Sequence, residues 1–322
     1  MIGTIYDEKG REYGLPVLLE WEITHGLGGS CDSFTVTVPY QPEMLPILKT
    51  ACRFRAVHNG ETVFYGVMDG YTVDCGTGGS TASLEGRSLG ALLMDNEAES
   101  GEYFNLGLEE VLRRHVTDWG IREIQRASVP NMSHFTVSSG QSQWSVLREY
   151  LEFAGNLAPR FDRKGALLLD GRQGGEKRVI DKSTPVSKLQ FRENRYGVIS
   201  EVLVKKTRSA VTGTVKNQEL IQRGGSARRV IQVPRYTDYD AMRYTGEYQI
   251  RKSRENSAVC TLTLPMLFPA FAGDTVELRY SSIGLTGVYR VCESRCWAKA
   301  SGCSKKKKSP VRQPRSGISP RT

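Results

Sequence analysis

The 322-residue sequence predicts an α+β fold, mainly β, in which two similar small β-barrels flank an inserted α/β domain. Three observations predict it. Short β-branched or aromatic runs fill the first ninety residues, and the hydrophobic period turns helical from about Asn105. A strand form met early, Phe34-Thr-Val-Thr-Val-Pro39, then returns late as Cys260-Thr-Leu-Thr-Leu-Pro265.

The first domain, 1–90, reads as strands over Leu15–Ile23, Ser33–Val38, Cys52–His58, Glu61–Val67 and Tyr71–Cys75. Between two of these runs stands Asn59-Gly60, a two-residue hairpin signal, because a type I′ turn needs positive φ at both positions. Leu84–Glu99, LEGRSLGALLMDNEAE, carries the chain out of this domain. Its alternating strand breaks at Gly86, where backbone freedom permits a change of direction. Ser88 is placed to cap a short helix with Leu89, Leu92 and Leu93 on one face. A strand followed by a capped amphipathic turn is also ordinary globular structure, so the pattern alone leaves docking and packing roles open.

The inserted domain, 91–185, holds a helix with Leu108, Val111, Leu112 and His115 on one face and Gly120 at its end. A second helix, Gln143–Phe153, presents Trp144, Leu147 and Leu151 and stops at Gly155. Ala158–Asp162 and Ala166–Asp170 then form a hairpin around Arg163-Lys164-Gly165. In the second β domain, 186–300, strands over Leu189–Thr207 and Ala227–Val233 precede an accessory helix, Thr237–Ser253. Both copies of the repeated strand lead through a Pro-containing loop to a second alternating strand, Arg53–Val57 or Thr275–Arg279, and then to Gly66-Val67 or Gly287-Val288. Residues 301–322 are nearly devoid of apolar side chains, which predicts a basic disordered tail.

Net charge is +9, and seven of the basic residues lie in that tail without an acid, leaving +2 for the rest. Residues 1–90 carry 6 bases against 11 acids and residues 186–300 carry 19 against 10, a polarity suited to contacts between unlike surfaces or to nucleic acid. The seven scattered cysteines do not form a disulfide framework or a CxxC zinc pair. No 18-residue apolar span or basic-then-apolar leader is present, so no membrane insertion is expected. The four histidines form no ligand or catalytic pattern, the glycine-rich pieces lack phosphate-loop context, and no GxSxG occurs. No catalytic residue, metal or cofactor is therefore expected.

Two segments carry a likeness, LEGRSLGALLMDNEAE (84–99) and SSGQSQWSVLREYLEFAGNLAPRFDRKGALLLDG (138–171). Together with the order β, α/β, β they resemble the baseplate hub proteins of contractile-tailed phages, tailocins and Mu-like prophages, the late control protein D group among them. The resemblance implies tail-tube-like barrels, two per chain, and a homotrimer forming a pseudo-sixfold ring. Such a ring joins a tail tube protein to a central spike protein around a channel through which DNA passes without sequence-specific binding. It also implies residence in the virion after synthesis in the bacterial cytoplasm. Gly86 and Arg87 would shape the crossover, with Leu89, Leu92, Leu93 and Trp144 as further structural or interface positions. The departure is C-terminal, where the family's closing strand is replaced by Lys305–Lys308 and a Pro/Arg/Ser tail. The alternative is a basic nucleic-acid-binding phage protein, for which the Arg and Tyr residues between Arg223 and Arg254 supply the material.

Overall fold

Alternation in the first ninety residues produces seven strands and a short helix: β1 (Ile2–Asp7), β2 (Glu12–Gly14), β3 (Glu20–Gly26), β4 (Ser33–Pro39), α1 (Met44–Thr50), β5 (Ala51–His58), β6 (Glu61–Gly76) and β7 (Gly79–Ser88). The computed structural model describes residues 1–27, 31–125, 127–171, 175–194, 196–206, 211–233, 237, 239–254, 257–280, 284–298 and 307–312. The seven strands pair antiparallel in the order β2-β1-β5-β6-β7-β4-β3. Asn59 and Gly60 adopt φ of 50° and 80°, the turn that their identities predict. Phe34, Val36 and Val38 point inward from β4 and are buried with Ile5, Phe54 and Phe64. The rings of Phe34 and Phe54 stack at 4.1 Å.

The expected break at Gly86 does not occur, since β7 runs through it to Ser88. Glycine is required there for close approach. A Cβ at Gly86 would lie 2.0 Å from the Val67 carbonyl oxygen and 2.6 Å from the Phe34 ring. The direction changes instead at Leu89-Gly90, ahead of α2 (Ala91–Met94). Ser88 does not cap that helix; its hydroxyl accepts the Asp32 backbone N–H at 3.1 Å.

The inserted segment continues with β8 (Gly101–Leu106), α3 (Leu108–His115), a 3₁₀ turn (Thr117–Trp119), β9 (Ile124–Gln125), β10 (Met132–Val137), α4 (Gln143–Gly155), β11 (Arg160–Phe161) and β12 (Leu167–Leu168). Ser142 caps α4 by accepting the Ser145 N–H at 3.2 Å, and Asn156 in the left-handed region (φ 54°) closes it. Val111, Leu112, Val146, Leu147, Tyr150 and Leu151 make the centre of a core shared by these elements.

The remainder supplies β13 (Lys177–Ile180), β14 (Lys188–Glu193), β15 (Glu201–Lys205), β16 (Val211–Lys216), α5 (Gln218–Gln222), β17 (Arg228–Gln232), α6 (Tyr239–Arg254), β18 (Ala258–Leu264), β19 (Thr275–Tyr280), β20 (Leu285–Val291), β21 (Glu293–Ala298) and β22 (Lys307–Arg312). The order β14-β18-β22-β20-β19-β13 repeats β3-β4-β7-β6-β5-β1 of the first half. Phe34 pairs with Gly86 as Cys260 pairs with Val311. Arg53 pairs with Val67 as Thr275 pairs with Arg290, so Val67 answers to Arg290 and the expected Gly66-Val67 and Gly287-Val288 match is displaced by two residues. The repeats differ at one end, where β1 is antiparallel to β5 and β13 is parallel to β19.

The two halves join where β21 pairs with β3 over six positions, from Glu293 opposite Gly26 to Ala298 opposite Trp21. The resulting strand path is open, with β2 and β13 at its ends, and no closed barrel occurs among the described residues. Lys307–Arg312 does not behave as the disordered tail expected for 301–322, because it pairs antiparallel with Ala258–Leu264. Backbone pairing needs no apolar side chain, which is why composition misses this strand. The rest of that tail, together with Cys303 and Tyr236, lies outside the described residues. The strands expected within Leu189–Thr207 and over Ala227–Val233 include β15 and β17, which with β16, a strand the sequence reading lacks, form a separate three-stranded sheet. Val202, Val204 and Val233 pack there against Met242 and Ile250 of α6.

Candidate functional site

The crossover from the first sheet into the insertion is built around Arg87. A β-bulge between Met68 and Gly70 leaves Asp69 unpaired on β6, opposite the end of β7. Arg87 donates to both Asp69 oxygens at 2.7 and 2.9 Å and to both Asp95 oxygens at 2.9 and 2.6 Å, so one guanidinium grips two carboxylates side by side. The hydrogen bonds from Arg87 hold the Asp95 carboxyl below the usual range. Beneath this clamp, burial pushes the Cys31 thiol up to about 11, and its Sγ lies 3.3 Å from Met94 Sδ.

Leu89, Leu93 and Trp144 are buried in the core of the insertion, Leu92 is partly buried against it, and Trp144 lies 5.9 Å from Phe161. The structure thus brings Leu89, Leu92, Leu93 and Trp144 into one core. Gly86 and Arg87 stand at its entrance and share no side-chain contact with Trp144 in the hydrogen-bond or ring network described above.

A second polar constellation escapes sequence reading altogether. A cleft of about 250 Å³ opens where the first sheet, the insertion and the second half meet, lined by His25, Asp32, Arg160, Arg163, Glu176 and Asp274 among others. Arg163 comes from the turn between β11 and β12. It reaches Glu176 at 2.6 Å, Glu61 at 3.5 Å and Asp274 at 3.9 Å, and its guanidinium lies 4.9 Å above the Phe271 ring. On the other side the His25 ring meets Phe271 edge-on at 5.2 Å and hydrogen bonds through Nδ1 to Asp32 at 2.9 Å. His25 Nε2 is buried without a hydrogen-bond partner among the described residues. Arg160 is buried and donates to the Gly171 and Ala272 carbonyls at 3.1 and 3.4 Å; burial lowers its pKa. Gly175 and Gly273 (φ 96° each) allow the backbones to touch, since a Cβ on Gly175 would meet the Gly273 oxygen at 2.2 Å.

The acids of the cleft are engaged by backbone N–H groups as well as by side chains. Asp32 accepts from His25 and from the Gly26 N–H, Asp274 accepts the Glu176 and Phe271 N–H groups, and Asp162 accepts those of Lys164 and Ala166. No Ser, Thr, Cys or Tyr lines the cleft among the described residues. The same residues hold no group of three metal-ligating side chains, and no helix among them is long and apolar enough to cross a membrane. The only local signals in sequence are the glycine at 175 and the Arg163-Lys164-Gly165 turn. The acids that meet Arg163 lie 13 to 111 residues away along the chain and carry no pattern.

The basic region around α6 is engaged internally. Arg228 pairs with Glu201 at 2.6 Å, Arg254 with Glu219 at 3.1 Å, and Arg229 with Gln249 at 2.7 Å. The Tyr244 and Tyr248 rings already carry Arg243 and Arg251 over them at 4.9 and 5.1 Å. One face of each ring is thereby occupied by a guanidinium.

No protein-family model matches the sequence, and no curated protein matches it. Solved structures do match the fold. A tail protein from Neisseria meningitidis superposes with a TM-score of 0.75 at 15% identity, covering 97% of this chain and 96% of that one. The 43 kDa tail protein of prophage MuSo2 from Shewanella oneidensis gives 0.76 at 15% identity, covering 97% and 98%. An E. coli component of the type VI secretion system, itself described as similar to the T4 tail proteins gp27 and gp5, gives 0.56 at 12% identity over 93% and 74%. The chain therefore has the fold of phage tail proteins.

Proposed function

We propose that this chain is a structural, non-catalytic baseplate hub of a contractile phage tail or tailocin. Three copies form a pseudo-sixfold ring that joins the tail tube to the central spike around the DNA channel, within the virion. One observation carries the reading: two halves of a single chain repeat one strand order and lie side by side, joined by the β3–β21 pairing. Three such chains present six equivalent sheets to a sixfold tube and three equivalent insertions to a threefold spike. The tail-protein fold supports this reading over almost the whole chain. The ion pairs across the cleft support a role in holding parts together, and the internal pairing of Arg228, Arg229 and Arg254 weighs against the alternative of a nucleic-acid-binding protein. In a hub the Arg87 clamp and the Arg163 junction keep the insertion at a fixed angle to both sheets, as a symmetry adapter requires. Light scattering on the purified full-length chain tests the proposal. A trimer is expected, and a strictly monomeric species at high concentration overturns it.

A further inference from the structure

Two edges of the large sheet that correspond to paired edges elsewhere in the chain are unpaired among the described residues. β14 pairs on one side only, with β18. The far end of β6, from Gly70 to Gly76, pairs only with β7, because its pairing with β5 ends at Val67. Phe191 lies opposite the buried Cys260 yet is 40% exposed, as an inward-facing residue is when the next strand of the sheet is absent.

The chain already shows how such an edge is covered. By the repeat, β3 corresponds to β14, and Ile23 opposite Phe34 corresponds to Phe191 opposite Cys260. The far end of β6 corresponds to β21. It follows the Asp69 bulge as β21 follows Cys292, and Thr72 lies opposite Ser83 of β7 as Arg295 lies opposite Lys308 of β22. Within one chain the members β3 and β21 are paired; their counterparts, β14 and the end of β6, are both open.

We infer that β14 of one copy pairs antiparallel with residues 70–75 of β6 in the next copy, repeating the β3–β21 seam between chains; this rests on the ring proposed above. Transferring the register of that seam, where Cys296 faces Ile23 and Trp297 faces Glu22, sets Val73 opposite Phe191 and Asp74 opposite Gln190. Val73 then covers the exposed Phe191. Asp74 falls diagonally between Lys188 and Arg192, a carboxylate between two cations on the solvent face. Both sides gain backbone partners, and the acidic first half of one chain meets the basic second half of its neighbour. The contact joins unlike surfaces, so it propagates head to tail, as the ring proposed above requires.

The test is cysteine cross-linking in the full chain, with Asp74→Cys and Gln190→Cys introduced together in a Cys75→Ser background. Mild oxidation is expected to give disulfide-linked dimers and trimers on a non-reducing gel, reversed by reductant and absent from either single variant. Lys188→Glu with Arg192→Glu, which changes only exposed charge on β14, is expected to raise the concentration needed for half-assembly by about tenfold or more while leaving the melting temperature unchanged. A trimeric wild type whose double-cysteine variant yields no cross-link, or whose assembly ignores the charge reversal, overturns the pairing while leaving the ring intact. A wild-type monomer overturns the ring and the pairing with it.

Discussion

At the scale of single residues, the crossover depends on two side-chain identities that the sequence marks for partly different reasons than those the structure gives. Gly86 is legible as a special position, but its service is close approach within a continuous strand and not a bend. Gly86→Ala forces a Cβ to 2.0 Å from a backbone oxygen, so the sheet must shift, and a loss of roughly 2 kcal/mol or more is expected in denaturant unfolding. Arg87 grips two carboxylates from a site about a third exposed, where solvent screens each pair. Arg87→Lys keeps the charge and loses the paired geometry, at an expected cost of about 1 kcal/mol. Arg87→Glu sets a third carboxylate beside Asp69 and Asp95 and is expected to cost about 2–3 kcal/mol, read as a lowered melting temperature or a lost oligomer.

At the scale of elements, helix patterns were the most readable features. Leu108, Val111 and Leu112 place α3, and Trp144, Leu147 and Leu151 with the stop at Gly155 place α4. What α4 packs against was not readable, because the contact with α6 joins segments about a hundred residues apart. Asn156 and Arg251 hydrogen bond across this contact at 2.6 Å, and one turn earlier Glu152 faces Arg251 and Lys252, with Arg148 and Glu149 on its own helix. Burial pushes the Glu152 carboxyl up to about 7, against the pull of those three bases. The folded chain therefore keeps this proton to a higher pH than the unfolded chain does. The contact is at its strongest below about pH 4.5, where both states are protonated, and weakens as pH rises toward 7. Glu152→Gln is expected to match wild type near pH 4 and to exceed it by on the order of 1–3 kcal/mol at pH 8. A pH series of melting temperatures in which both proteins track each other would contradict this.

For the whole molecule, the repeated Phe34–Pro39 and Cys260–Pro265 forms made the duplicated β organisation legible, because equivalent inward positions demand the same alternation of apolar residues and threonines. The junction was not legible. Arg163, Glu61, Glu176, Asp274 and His25 are drawn from three parts of the chain, and ordinary charged residues acquire meaning only when the fold gathers them. Arg163→Ala removes the guanidinium over Phe271 and the cation that lies 3.9 Å from the buried Asp274. A loss of about 1–3 kcal/mol is expected, with the two sheets and the insertion unfolding in separate steps during calorimetry where wild type unfolds in one. The central claim is that one chain carries two equivalent sheets so that three chains make a ring with six. Electron-microscopic averaging of the purified assembly, viewed down its axis, tests this most directly. The account predicts six lobes around a central opening from three chains, and a single-chain particle or a twofold dimer without an opening would contradict it.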